Sequence, residues 1–350
     1  METGVGLDAT LNLSFPQQAE VAQEAARLGY TSLWTPETTG YDGFQVCAHR
    51  WAATREVVPE GLTTGIAVAP VLYRTPVAFA VSAGTVSALT GGRFILGIGS
   101  GGAYRPQVRQ SLGLPSFSTL ALMRDYLTTV RALLAGQEVT YQGAVVTLQG
   151  ARLAISPPPR TPVYLAALGP QMLRLAGELA DGVCLNWCTP EQVAWSRGHI
   201  AEGAKAAGRD PAGIRVVEYI RVCVDDDVDR ARRALARATM GYALGPRIPT
   251  ERERALGYRA HFERMGFTEA LAELDRMRAR GASADEVADA FPPELLLRVG
   301  YFGRAAGAAE HFRRLAQGLD VALVRVVAAR PGSVDSVLAV LRACRPALAA

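Results

Sequence analysis

Gly97, Gly99 and Gly102 stand in the stretch GGRFILGIGSGG, residues 91–102, at the spacing G-x-G-x-x-G. Glycines so placed let a backbone approach a phosphate closely, which is the chemistry of a dinucleotide-binding loop. That chemistry also needs a helix directly after the glycines and an acidic residue about 20 positions on. Pro106 interrupts the segment just after Tyr104 and Arg105, and residues 117–122, FSTLAL, hold no Asp or Glu, so a Rossmann-type site is set aside. What remains is a short apolar strand, residues 93–98, between glycine pairs. It reads as buried on both faces, as in a parallel sheet.

The other residues capable of chemistry assemble no catalytic set. His49, His199, His261 and His311 all fall on stretches that read as helices, where each is a helix-surface or core residue. No Ser/His/Asp arrangement and no cluster of carboxylates emerges. Cys184 and Cys188 are the one close cysteine pair, and without nearby histidines they read as buried or half-buried thiols rather than a zinc site. Five cysteines in 350 residues, an odd number, make no disulfide framework.

Composition narrows the class further. The chain is 49% hydrophobic, enough for a sizeable core. Its net charge of +4 comes from 37 basic and 33 acidic residues spread without a basic block, so nucleic acid is not an expected partner. No basic, apolar leader opens the sequence and no window approaches a run of about 20 apolar residues, so a cytoplasmic protein without membrane contact is expected.

Stepping along the chain, strands alternate with helices. Residues 5–13 read as the first strand. Ser14, Pro16 and Gln17 mark a helix start, and Gly29 its stop. Further strands are expected over residues 31–35, 63–69, 93–98, 163–167, 182–187, 214–224 and 321–327. Helices are expected over 44–55, 76–89 with Thr75 as cap, 120–134, 171–180, 190–207 and 333–343. Residues 138–148 read as a hairpin excursion turning at Gln142-Gly143 and ended by Pro157-Pro158-Pro159. Residues 225–320, rich in Ala, Arg and Glu at helical spacing, are too long for one crossover. The α/β alternation predicts a (β/α)8 TIM barrel, a single domain spanning 1–350, with a helical insertion at about 225–320 between the last two strands.

In such a barrel chemistry collects after the C-terminal ends of the strands. That rule nominates residues 8–12, 36–42, 70–75, 99–104, 168–169, 186–189 and 218–221. These loops offer small residues and backbone amides, Gly99-Ser100-Gly101-Gly102 and Ala166-Ala167-Leu168-Gly169. Backbone N–H groups suit a phosphate, and a flat wall of small residues suits a ring system. The alternative is that these glycines only make tight barrel corners.

GYTSLWTPE, TTGIAVAPVLYRTP, LTGGRFILGIGSGG, PVYLAALGP and LADGVCLNW occur in this order between residues 29 and 187. Together they resemble the bacterial luciferase-like superfamily, specifically its coenzyme F420-dependent oxidoreductase branch. The resemblance spans residues 4–187 and weakens after residue 224. It implies a hydride transfer between a small organic substrate and F420, by a homodimer. It places a bulge with a non-prolyl cis peptide at Ala67 and Val68, backing the deazaflavin ring. Gly99, Ser100 and Gly101 would lie along the cofactor, Ala166, Ala167, Leu168 and Gly169 would bind its phosphate, and Asn186 would contact it again. The family's carboxylate at the end of the second strand is matched by Glu37, either a proton acceptor with its pKa raised by burial or a residue that only hydrogen-bonds the cofactor or a neighbouring loop.

Sugar-phosphate dehydrogenases of this family have His after the second-strand acid and Glu in the fourth-strand loop, whereas this chain has Thr38 and Gly102. Sugar-phosphate activity is therefore not expected, and an open wall at Gly102, admitting a larger or more apolar substrate, is. Two rivals remain: an FMN-dependent monooxygenase on the same barrel, and a non-catalytic cofactor-binding protein.

Overall fold

The structure, a computed structural model, describes residues 1–155, 161–255 and 257–347. The Pro157-Pro158-Pro159 run falls outside the described residues. The chain folds as a (β/α)8 barrel, and it separates into two compact units, residues 31–184 with 196–217 and residues 1–30 with 185–195 and 218–350.

The first of these units begins with β2 (Ser32–Thr35), α2 (Gly43–Thr54) and β3 (Thr63–Pro70). There follow α3 (Pro76–Leu89), β4 (Phe94–Gly99), the short α4 (Pro106–Ser111) and α5 (Thr119–Leu134). An antiparallel hairpin, β5 (Val139–Gln142) and β6 (Thr147–Ala151), precedes β7 (Val163–Ala166), α6 (Pro170–Leu179) and the first three residues of β8 (Gly182–Asn186). Strands β2, β3, β4, β7 and β8 lie side by side in that order, parallel throughout. Their continuous apolar runs are what a sheet covered on both faces requires. Phe44, Phe79 and Phe94 pack with ring centroids about 6 Å apart beneath α2 and α3. The hairpin is pinned to α5 by Asp125, whose Oδ2 accepts the N–H groups of Val145 (2.7 Å) and Val146 (2.9 Å). No helix follows the glycines directly; α4 starts only at Pro106, whose fixed φ and missing N–H suit a first helical position.

The second unit holds β1 (Glu2–Gly6) and α1 (Phe15–Arg27), then α7 (Pro190–Ala206) and β9 (Arg215–Val224), each in part. The inserted segment follows as α8 (Val228–Ala243), α9 (Glu251–Arg254), α10 (Gly257–Phe262), α11 (Thr268–Ala279), α12 (Ala284–Asp289), α13 (Pro293–Val299), β10 (Gly300–Gly303) and α14 (Ala305–Leu315). Strand β11 (Val321–Val326) and α15 (Val334–Ala343) close the chain. The strand order here is β10-β9-β11-β1.

Two expectations are corrected. The first strand ends at Gly6 rather than at residue 13, because the Asp8 carboxylate accepts the Thr10 N–H at 2.8 Å and turns the chain. The inserted segment is not wholly helical, since β10 pairs with the last four residues of β9. Its helices bury a core of their own, with Phe262, Phe267, Leu271, Phe291 and Leu296 all fully enclosed. The capping box of Ser14 and Gln17 and the positive φ of Gly29 bear out the limits set for α1.

Candidate functional site

In the first unit the strand ends carry the residues singled out by sequence. β2 delivers Glu37, which is 5% exposed. Arg74, after β3, grips it with both arms: Nη1 to Oε2 and Nη2 to Oε1, each 2.6 Å. The Gly43 N–H donates to the same Oε1 at 3.1 Å. Arg74 Nη2 also reaches Asp42 Oδ2 at 2.5 Å, and Asp42 caps α2 through Oδ1. The guanidinium lies 4.9 Å from the Phe44 ring centroid and 5.6 Å from that of Phe79; its proton affinity is raised chiefly by the hydrogen bond to Glu37.

The peptide bond between Ala67 and Val68 is cis, as the resemblance implied. The register of β3 on β4 shifts between Ile66 and Ala69, so these two residues form a bulge. Glycines opposite the bulge are explained by it. A Cβ on Gly97 would stand 2.3 Å from the Ile66 carbonyl oxygen, and one on Gly99 2.6 Å from Val68 Cγ2 and 3.2 Å from Ala166 Cβ. The G-x-G spacing therefore serves close strand approach. Ser100 and Gly101 continue into the loop, with the Ser100 carbonyl accepting the Ala103 N–H at 2.9 Å.

Gly102 corrects an expectation. The wall there is not open, because the Arg105 guanidinium lies 2.7 Å from where a Cβ would stand. After β7, Ala166, Ala167 and Leu168 lead to Gly169, the N-cap of α6, with Pro170 behind it. Among the described residues no side chain caps that helix, and a Cβ on Gly169 would meet no atom within 4 Å. Uncapped N–H groups at the positive end of a ten-residue helix, with open space before them, fit a phosphate.

In the second unit a buried polar cluster surrounds the turn after β8, and the sequence had only named its region. Trp187, fully buried, adopts a left-handed backbone with φ 57°. The Cys188 N–H donates to Glu218 Oε1 at 2.5 Å. His261 Nε2 lies 2.8 Å from the Trp187 carbonyl oxygen, and Arg264 Nη2 lies 3.3 Å from His261 Nδ1. The first contact needs a proton on Nε2 and the second a bare Nδ1, which is the neutral tautomer; burial, with Arg264 adding to it, lowers the pKa of His261 to about 4. Burial also pushes Glu218 up to about 8, and its Oε2 has no hydrogen-bond partner among the described residues.

Asn186 has both polar atoms engaged. Its Nδ2 donates to the Tyr258 hydroxyl at 2.6 Å, and its Oδ1 accepts from Arg221 Nη1. Arg221 in turn stacks 3.9 Å from the Trp187 ring centroid. Nearby, Arg325 pairs with Asp8 and lies 4.7 Å from the Tyr219 ring. All five cysteines are buried thiols whose proton affinity burial raises, Cys184 and Cys188 included. No described helix is long and apolar enough to cross a membrane.

The sequence pattern of the luciferase-like monooxygenase family matches residues 2–321. A 5,10-methylenetetrahydromethanopterin reductase of Methanolobus tindarius is 31% identical over 216 residues, 62% of this chain and 64% of that relative, so the chain spans under two thirds of its length. The F420-dependent glucose-6-phosphate dehydrogenase of Beutenbergia cavernae is 28% identical over 270 residues, 70% of this chain and 79% of the relative. The structure of the coenzyme F420 dependent tetrahydromethanopterin reductase from Methanopyrus kandleri superposes with a TM-score of 0.75 at 21% identity, covering 97% of each chain, which shows the same fold. With the family pattern running through nine tenths of its length, the chain belongs to the luciferase-like monooxygenase family.

Proposed function

We propose that this protein is an oxidoreductase that transfers a hydride between a small organic substrate and coenzyme F420, acting as one domain over residues 1–350 and, as the family resemblance implies, as a homodimer. The observation that carries the reading is the uncapped start of α6, with open space at Gly169, where the resemblance expects the coenzyme's phosphate. The named F420 dependence of the Beutenbergia relative supports it. Ala67, Val68, Gly99, Ser100 and Gly101 offer small side chains and backbone against which a planar ring would rest, and Ala166, Ala167, Leu168 and Gly169 would hold the phosphate. Asn186 is assigned a supporting contact. The bound coenzyme supplies the carbon that takes or gives the hydride; the protein's part is orientation and exclusion of water.

Glu37 stands where the family's second-strand carboxylate is expected. Both Glu37 oxygens are occupied by one guanidinium, so the Arg74 pair favours a holding role for it. A Glu37→Gln variant separates the two roles. Normal F420 binding with a loss of about a hundredfold or more in turnover assigns proton transfer, and a parallel fall in both assigns the holding role.

The deciding experiment is a titration of the purified protein with F420, FMN and FAD, repeated on Gly169→Glu. F420 is expected to bind in preference, and the added charge and volume to weaken it. FMN binding more tightly than F420 overturns the cofactor; an unchanged dissociation constant in Gly169→Glu overturns its placement.

A further inference from the structure

Arg221 is 3% exposed, yet its charge has no counter-ion among the described residues. Both of its hydrogen bonds leave from Nη1, to Asn186 Oδ1 and to the Tyr219 carbonyl oxygen at 3.0 Å, and both acceptors are neutral. Its Nε and Nη2 edge donates to nothing among the described residues, and no carboxylate there forms an ion pair with it. Other buried arginines of the same unit are matched: Arg325 pairs with Asp8, and Arg259 with Asp275 at 2.7 Å and Glu263 at 2.6 Å. Glu218, on the same strand, attracts Arg221 only from a distance, and its own burial keeps it protonated at neutral pH. A guanidinium does not escape by losing its proton. A buried charge left without a partner destabilises a fold unless an anion reaches it.

The surroundings of Arg221 are aromatic. Its guanidinium carbon lies 3.9 Å from the Trp187 ring centroid, 5.3 Å from that of Tyr242 and 5.9 Å from that of Tyr219. Tyr242 is 38% exposed, so the outer wall of this cage meets solvent. Stacking fixes the guanidinium plane and leaves its unused edge as a preformed fork.

We propose that Arg221, walled by Trp187 and Tyr242, is the receptor for a carboxylate or phosphate carried by the substrate, bound through the Nε–Nη2 edge. The inference rests on the activity proposed above only in calling that ligand a substrate. It makes the substrate class anionic.

The test uses the full-length protein without coenzyme and two probes, benzoate and inorganic phosphate, titrated by calorimetry with benzamide as the uncharged match. At least one anion is expected to bind where benzamide does not. Arg221→Gln is expected to weaken it about tenfold or more, and Arg221→Lys, which keeps the charge and loses the fork, to weaken it less. Circular dichroism checks that each variant folds, and if Arg221→Gln does not, the loss in Arg221→Lys carries the test. Failure of both anions to bind the wild type, or equal binding by the variants, overturns the proposal. F420 titrated into the same proteins separates the two sources of the anion. Unchanged F420 affinity in Arg221→Gln assigns the site to the substrate, whereas a tenfold loss gives the anion to the coenzyme and overturns that assignment. If F420 fails to bind the wild type while anion binding depends on Arg221, the oxidoreductase reading falls and the receptor stands.

Discussion

Replacing Glu218 by Gln is expected to make the protein more stable, by an amount that grows with pH. Below pH 4.5 the carboxyl is protonated whether the chain is folded or not, so it exerts no pH-dependent effect there. Above that pH the unfolded chain ionises while the buried Glu218 keeps its proton until about pH 8. Unfolding therefore gains about 1.4 kcal/mol per pH unit across this window, which comes to about 3 kcal/mol at pH 7. Gln removes that gain and still offers an oxygen to the Cys188 N–H. The unpartnered Oε2 position would become an unpartnered amide, a cost close to that of the protonated acid it replaces. Urea unfolding of wild type and Glu218→Gln at pH 5, 6, 7 and 8 measures the difference. Midpoints that separate progressively toward pH 8 are expected. A constant difference, or a variant that is less stable at pH 8, would refute a buried, neutral Glu218.

His261 gives the opposite dependence: with its pKa lowered from 6.5 to about 4, the stability it confers is complete above pH 6.5 and lost as pH falls toward 4. His261→Gln should flatten the acid limb of thermal melts over that window. Arg74→Met leaves Glu37, whose side chain is 2% exposed, without its partner and should cost about 3–5 kcal/mol, most of it recovered by adding Glu37→Gln; chemical denaturation of the three proteins checks this. Gly203→Ala should cost about 1–3 kcal/mol, because its Cβ would stand 2.0 Å from the Arg174 carbonyl oxygen where α7 crosses α6. Gly198→Ala, on the same helix with nothing among the described residues within 4 Å of its Cβ, should instead stabilise by about 0.5–1 kcal/mol, and melting temperatures of the pair show whether the close crossing governs the difference.

The barrel strands were legible because their signals are local. Runs such as VYLA and VALVRV, set between glycine, proline and helical stretches, place β7 and β11 to within a residue. The Thr75 and Ser14 caps did the same for α3 and α1. β1 misled because VGLDATLNL alternates like a strand, while the turn at Asp8 is decided by one side-chain hydrogen bond. β10 has only the four residues GYFG and exists because β9 is long enough to pair with it. At the candidate site the cis peptide at Ala67 and Val68 followed from the resemblance alone, and no composition or periodicity marks it. The cluster of Trp187, Glu218, Arg221 and His261 brings together residues up to 74 positions apart. A lone histidine on a helix of the insertion gives no sign of the carbonyl it will meet.

The pairing of β1 with β11, Glu2 opposite Val321, sets a timetable for biosynthesis. A ribosome adding about 5–20 residues per second would release the first strand roughly 15 to 60 seconds before that partner. Throughout this interval Gly4, Val5 and Gly6, enclosed in the finished protein, present an open edge. Premature termination before residue 321 would leave the edge permanently bare, so shortened products of this chain should be insoluble passengers of the chaperone system rather than smaller folded proteins.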